Sequence, residues 1–214
     1  MELYFFHLNI IAFVKVKEEE MILADALKNT LQKTREMLGG NFDPADPIFI
    51  SLKEELERLF KKKNLNLKYL GLDATKTAVE FAKHHHLNYQ EITFKEVDVL
   101  KEKFEENQYN VVISSLFTHH FEDEDWIKLI QRMVFSAKKA VIINDLHRHP
   151  LAYYSIAFLT QIFSKSYMVK HDSKVSVLRS FKRQELKNLL ALAGVKNYTI
   201  KWMWAFRWQI IIYK

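Results

Sequence analysis

The chain has 214 residues, 32 Lys and Arg against 26 Asp and Glu, no cysteine, 4 glycines and 3 prolines. Zero cysteine removes disulfide frameworks, thiolate zinc sites, iron–sulfur clusters and cysteine nucleophiles together, and makes a reducing, cytoplasmic setting the expectation. The glycines, Gly39, Gly40, Gly71 and Gly194, cannot be arranged as a GxGxxG or Walker A loop. The net charge of +6 is spread over Lys61 to Lys63, Lys138, Lys139 and Lys165 to Lys187. No nucleic-acid-binding pattern accompanies it, so a solvated face is expected and nucleic acid is not.

In chain order, Tyr4 to Val14 is rich in aromatic and β-branched residues and predicts a strand. Lys15 and Lys17 to Glu20 end this apolar run short of the ~20 residues a membrane span needs. It has no basic leader region or small-residue cleavage site, so a signal peptide is not expected. Glu18 to Leu38 carries Leu23, Leu27 and Leu31 at helical spacing and ends at Gly39-Gly40-Asn41, which suits a left-handed helix stop. Asp43-Pro44-Ala45-Asp46-Pro47 reads as a connector, and Ser51-Leu52-Lys53-Glu54 is a capping-box pattern opening a helix to about Lys63.

Strand and helix then alternate: strands at Leu67–Leu72, Glu91–Val97, Tyr109–Ser114 and Ala140–Asn144, and helices at Thr75–His85, Asp123–Ala137, Pro150–Ser164 and Lys182–Ala193. Tyr198–Trp202 and Arg207–Tyr213 close the chain as an antiparallel hairpin. This alternation predicts an α/β fold: a doubly wound, mostly parallel sheet with helices on both faces. Residues 1–214 are expected to form a single domain, with a divergent strand and helix over 1–46 and the α/β core over 47–214.

Ligands of doubly wound sheets sit beyond the carboxyl ends of the strands, so polar residues there are the candidates for chemistry. Asp73 can accept two hydrogen bonds from a ribose diol, or it can cap the helix that begins after Ala74-Thr75. Asp98 can receive an amino group or face water. Nine histidines cluster at His84-His85-His86, His119-His120 and His147-Arg148-His149. None of these spacings is a known metal signature, so no metal centre is expected. His119 and His120 follow a strand, where one can act as a base while the other packs, and the tip position favours His120 for the functional role. His147 with Arg148 can bind an acidic acceptor or cap the next helix. Pro150 to Ser164 is apolar all round, which predicts burial, or a cover over a hydrophobic pocket and a homodimer surface. Trp202, Trp204, Phe206 and Trp208 are expected to be core residues of the hairpin.

Tyr69-Leu70-Gly71-Leu72-Asp73-Ala74, then Asp98, then Tyr109 to Phe121 resemble class I S-adenosylmethionine-dependent methyltransferases. Ile143 to Tyr154 and the tail from Ser176 to Trp208 are similar to a bacterial small-molecule group of that family. The resemblance implies a seven-stranded (or six-stranded) sheet and methyl transfer from S-adenosylmethionine to a small hydrophobic or aromatic metabolite. Carried over by position, Asp73 with Ala74, Asp98 with Val99, and Ser115 with Leu116 would line the cofactor pocket. His120, His119 and His147 would be catalytic, and Asn144, Arg148, Tyr153 and Tyr154 would contact substrate.

The sequence departs from that family at one place. Its members have a first strand ending in an acid and a glycine-rich loop for the methionine half of the cofactor, and neither is recognisable between Asn41 and Leu67. Side chains at Asp43 to Pro47 would keep backbone from the close approach that glycine allows. Either the cofactor is held unusually, or it is not held and the chain is a catalytically silent relative that binds or assembles; Tyr4–Val14 is expected to replace the missing central strand, which rescues the fold without rescuing the loop.

Overall fold

The computed structural model describes residues 11–16, 67–85, 91–164 and 166–214. The expected helices over 18–38 and 51–63, the Gly39-Gly40 stop, the connector at 43–47 and the start of the first strand lie outside them. The described strands are β1 Ile11–Val16, β2 Leu67–Asp73, β3 Ile92–Glu96, β4 Tyr109–Ser115, β5 Ala137–Leu146, β6 Tyr198–Met203 and β7 Arg207–Tyr213. The helices are α1 Lys76–His85, α2 Asp123–Ser136, α3 Pro150–Phe163, α4 Tyr167–Arg179 and α5 Arg183–Leu192, with a 3-10 turn at Thr118–His120. The architecture is α/β.

The strands form one sheet in the order β3-β2-β1-β4-β5-β7-β6. β1 lies between β2 and β4, in the central place expected for Tyr4–Val14, and is antiparallel to both. Without it, β2 and β4 would each present unpaired backbone donors and acceptors in the middle of the sheet, and a strand of either direction satisfies them. The expectation of a mostly parallel sheet is therefore corrected at the level of pairing. β2–β3 and β4–β5 are parallel, while β1–β2, β1–β4, β5–β7 and β6–β7 are antiparallel.

The reversal of β1 decides what the strand can do for a ligand. Ile11 pairs with Leu72 and with Ser114, whereas Val16 pairs with Leu67 at the far edge. The chain thus leaves β1 on the side away from the tips of β2 and β4. The segment that follows β1 therefore starts at the edge opposite those tips. The tips of β2 and β4, one strand apart on either side of β1, are separated by roughly 10 Å at the usual strand spacing.

α2 forms because Trp126, Leu129, Ile130 and Met133 fall on one buried stripe, and Asp123, Glu124 and Asp125 in its first turn oppose the positive end of the helix dipole. It packs on β4, β5 and α5 over a core that includes Val112, Val141, Ile143, Leu186, Leu190 and Ile210. Pro150 opens α3, and His149 Nδ1 accepts the Leu151 amide at 3.1 Å. The burial expected for α3 is corrected: only Ala152 is buried, and Leu151, Tyr154, Phe158 and Phe163 are exposed. The reason is its neighbour, since α3 packs on α4, to which the sequence reading assigned no element, and not on the sheet. The tryptophans also divide. Trp208 is buried and donates Nε1–H to the Phe181 carbonyl at 2.9 Å, while Trp202 and Trp204 are exposed.

The β6–β7 turn stores strain. Ala205 and Phe206 lie in the left-handed region at φ 62° and 55°, and neither is glycine. An L-residue there costs roughly 1–2 kcal/mol. Ala205→Gly is accordingly expected to stabilise the fold by about 0.5–1 kcal/mol, because glycine's greater unfolded freedom offsets part of the relief. An upward shift of the urea midpoint at constant slope would show it, and a downward shift would refute it.

Candidate active site

The most heavily bonded polar group at the strand tips is Asp145, near the end of β5. It faces the same side of the sheet as α2 and α5 and is fully buried. Its Oδ1 accepts His119 Nδ1 at 2.6 Å and the Leu146 amide at 2.8 Å. Its Oδ2 accepts the Thr118 hydroxyl at 2.6 Å and the His119 amide at 3.1 Å. Burial pushes the Asp145 carboxyl up, but the His119 hydrogen bond and charge, Thr118 and the Leu146 amide together outweigh it and hold the acid below the usual carboxylate range.

An ionised Asp145 is acceptor-only, so the His119 imidazole donates through Nδ1; in the neutral form of the ring that leaves Nε2 as the acceptor nitrogen. That Nε2 is buried and has no partner among the described residues. His119 lines a cavity of about 540 Å³ together with His120, Phe121, Arg148, Phe181 and Glu185. The rings of His119 and His120 lie 4.2 Å apart, and His120 is the exposed member. The 3-10 turn that carries them is held at the tip of β4, where Leu116 adopts φ 51° and donates its amide to the Asn144 carbonyl at 2.8 Å. A second cavity, of about 500 Å³, lies by the far end of β7 and contains neither acid nor histidine.

The other predicted residues are distributed as follows. Asp73 Oδ1 accepts the Thr75 amide at 2.7 Å, which is the capping arrangement, and its Oδ2 takes no bond among the described residues. Ala74 is exposed and Val99 is buried in the core. Asp98 is used on both oxygens, by the Leu100 amide at 3.0 Å and by Lys101 at 2.8 Å. The Lys101 bond is the main reason its carboxyl lies below the ordinary range. Ser115 stands opposite Asn144 in the β4–β5 register, and the Ser115 hydroxyl and Asn144 Oδ1 are both buried without a partner. His147 packs against Trp208 at 4.6 Å, and burial, with His149 beside it, lowers its pKa and keeps the ring neutral. Arg148 is ion-paired with Glu185 across the cavity, which accounts for its charge. Tyr153 is half-buried and Tyr154 is exposed on α3.

The structure thus brings His119, His120 and Arg148 around one cavity and sets Ser115 beside Asn144. Asp73 stands at the same sheet edge, across β1, and does not line that cavity. Sequence reasoning missed Asp145, Thr118 and Arg207. The one available signal was that Asp145 directly follows a buried apolar strand, and a strand-end acid does not reveal in sequence which distant histidine it meets.

Residues 54–139 match the family model of the methyltransferase domain. No curated protein matches the chain. Among solved structures, the plantazolicin methyltransferase BpumL, in complex with a triazolic desmethylPZN analog and SAH, is 16% identical at a TM-score of 0.57, over 75% of this chain and 72% of that one. A SAM-dependent methyltransferase from Aquifex aeolicus is 12% identical at a TM-score of 0.54, over 76% of each chain. A protein from Bordetella parapertussis described as a possible exported protein is 15% identical at a TM-score of 0.52 over 68% of this chain, which spans only 52% of it. Residues 54–139 thus match the methyltransferase domain, and the described sheet has the fold of S-adenosylmethionine-dependent methyltransferases of known structure.

Proposed function

We propose that the chain transfers a methyl group from S-adenosylmethionine to a protic group on a small hydrophobic or aromatic acceptor, with His119 as the base. The observation that carries this reading is the buried Asp145–His119 pair, whose unpartnered Nε2 is held beside a cavity at the tip of β4. Bound S-adenosylmethionine would supply an electrophilic methyl group on its sulfonium. The chain's own part is to orient the acceptor in line with that methyl and to take its proton at His119 Nε2, while Asp145 fixes the tautomer.

The residues at the edge fit the nucleoside end of this cofactor. Asp73 keeps one carboxylate oxygen, free of bonds among the described residues, for a ribose hydroxyl. At the methionine end, β1 runs the other way, so the segment that follows it starts at the opposite edge of the sheet. That observation favours the second reading, a silent relative that keeps the fold as a binding module.

Thermal melting separates the two. Cofactor at about 100 times its dissociation constant adds roughly 2.7 kcal/mol, or about 5–10 °C for a chain of this size. No shift at millimolar S-adenosylmethionine or S-adenosylhomocysteine would establish the silent relative. Asp73→Ala is expected to weaken the cofactor about 10- to 100-fold, the worth of a charged hydrogen bond. Unchanged affinity in that variant would leave Asp73 as a helix cap alone.

A further inference from the structure

Two arginines reach the strand tips, and they are in opposite states. Arg148 has its counter-ion in Glu185, which α5 presents to it. Arg207, the first residue of β7, has buried Nε and Nη1 atoms with no hydrogen-bond partner. Asp145 is the acid whose charge acts on it, but both Asp145 oxygens already carry two bonds each. An ionised carboxylate offers about four acceptor positions, so Asp145 balances the charge of Arg207 without satisfying its N–H groups. Burial disfavours the guanidinium charge, and Asp145 only partly opposes this. A buried charged donor left unmade is among the costly states of a folded chain.

The register shows what surrounds it. Leu146 pairs with Arg207 and Asn144 with Gln209, so Asn144 and Arg207 share the face of the sheet opposite the Asp145–His119 pair. Ser115 pairs with Asn144 on that same face. Ser115 Oγ and Asn144 Oδ1 are also buried and unpartnered. Three adjacent strands thus bring a guanidinium, an amide and a hydroxyl to one edge, all with unmet hydrogen-bonding capacity. The backbone around them is strained at Leu116, Ala205 and Phe206, and such strain collects at ligand sites.

We propose that Arg207, with Asn144 and Ser115 beside it, forms a subsite for a carboxylate on a small molecule bound at the strand tips. The planar fork of arginine matches a carboxylate with two parallel hydrogen bonds. The Ser115 hydroxyl adds a donor, and the Asn144 amide, turned over, adds its Nδ2. The carboxylate belongs either to the methyl acceptor or to the methionyl end of S-adenosylmethionine, since β1 ends at the edge away from these tips. Only that ownership rests on the methyl-transfer reading.

The test uses the full chain, with benzoate as the probe and benzamide as its uncharged counterpart, each titrated by thermal melting. Benzoate is expected to stabilise the protein and benzamide is not. Arg207→Met should weaken benzoate about 10- to 100-fold. Asn144→Asp, which sets a negative charge on the same face, should weaken it at least about tenfold and decides the matter if the methionine variant does not fold. Equal effects of benzoate and benzamide, or unchanged benzoate affinity in the folded variants, would overturn the subsite.

The source of the carboxylate is read from two further ligands. If Arg207→Met weakens S-adenosylmethionine but not 5′-methylthioadenosine, which lacks the amino-acid end, the carboxylate is the cofactor's. If it weakens benzoate alone, the carboxylate is the acceptor's. A wild-type chain that binds benzoate through Arg207 and shows no cofactor shift keeps the subsite and loses the methyl-transfer reading. The converse pattern loses only the subsite.

Discussion

Asp145→Ala is expected to destabilise the fold by about 3–5 kcal/mol, the cost of removing one partner from a buried pair. Four donors lose their acceptor at once: His119 Nδ1, the His119 and Leu146 amides and the Thr118 hydroxyl. Asp145→Asn keeps the shape and one acceptor oxygen but turns an NH₂ toward donors, and is expected to cost about 1–3 kcal/mol. The pH dependence carries a signature of its own. Because the folded-state acidity of Asp145 is raised, its pKa lying below the 3.8 of an unperturbed aspartate, the wild-type chain gains stability from this group above that value. The gain is lost as pH falls below about 4 and through the folded pKa. The asparagine variant should lose that part of the acid sensitivity. Urea unfolding of both proteins between pH 3 and 7 measures it, and parallel pH profiles would show that Asp145 is not held ionised by its neighbours.

His119→Ala is expected to lower methyl transfer about 10²- to 10⁴-fold, the usual worth of a positioned base. Label transfer from S-adenosylmethionine to a panel of phenols and hydroxy-aromatic acids would provide the rate. The melting shift with S-adenosylhomocysteine should survive the substitution, because the proposal gives His119 a role toward the acceptor and none toward the cofactor. A rate within a few-fold of wild type would leave the Asp145–His119 pair a structural bond and nothing more. Loss of both the rate and the shift would place His119 in cofactor binding. His120 is the natural comparison, since it lines the same cavity while lying exposed beside the buried ring. His120→Ala is expected to change the rate far less than His119→Ala does.

What could be read in the residues was largely what repeats or punctuates locally. The apolar runs at 67–72, 109–114 and 140–144 lie within the strands observed there, and the stripe Trp126, Leu129, Ile130, Met133 is the buried face of α2. Gly194, at φ 79°, ends α5 as a left-handed stop. Errors arose wherever an element's partner mattered more than its own pattern. Pro150 to Ser164 is apolar all round, and hydrophobicity alone says buried. Its helix leans on α4, a segment with no clear apolar stripe, and so most of its large side chains stay exposed. Trp202 and Trp208 face each other in the β6–β7 register, yet only Trp208 meets the core.

The candidate site divides along the same line. The histidine turn at 118–120 and the end of β5 were both marked by their polar residues, but the pairing of His119 with Asp145 joins positions 26 residues apart. Arg148 looked like the arginine for an acidic ligand because it stands in a histidine-rich segment. Its neutralisation by Glu185, 37 residues away, and the isolation of Arg207 exist only once β5, β7 and α5 are packed together.

By itself, the sequence determined that this chain folds as alternating strands and helices, that it has no thiol chemistry, and that its polar residues collect after the strands. These follow from side-chain period, turn residues and composition, which act over a few residues. Only the tertiary structure decided the direction of β1, since an antiparallel and a parallel strand have the same alternation and satisfy the same neighbours' hydrogen bonds. Only it decided which histidine is buried against an acid and which arginine keeps buried N–H groups without acceptors, because burial and hydrogen-bond pairing are properties of the space between elements and not of any one of them.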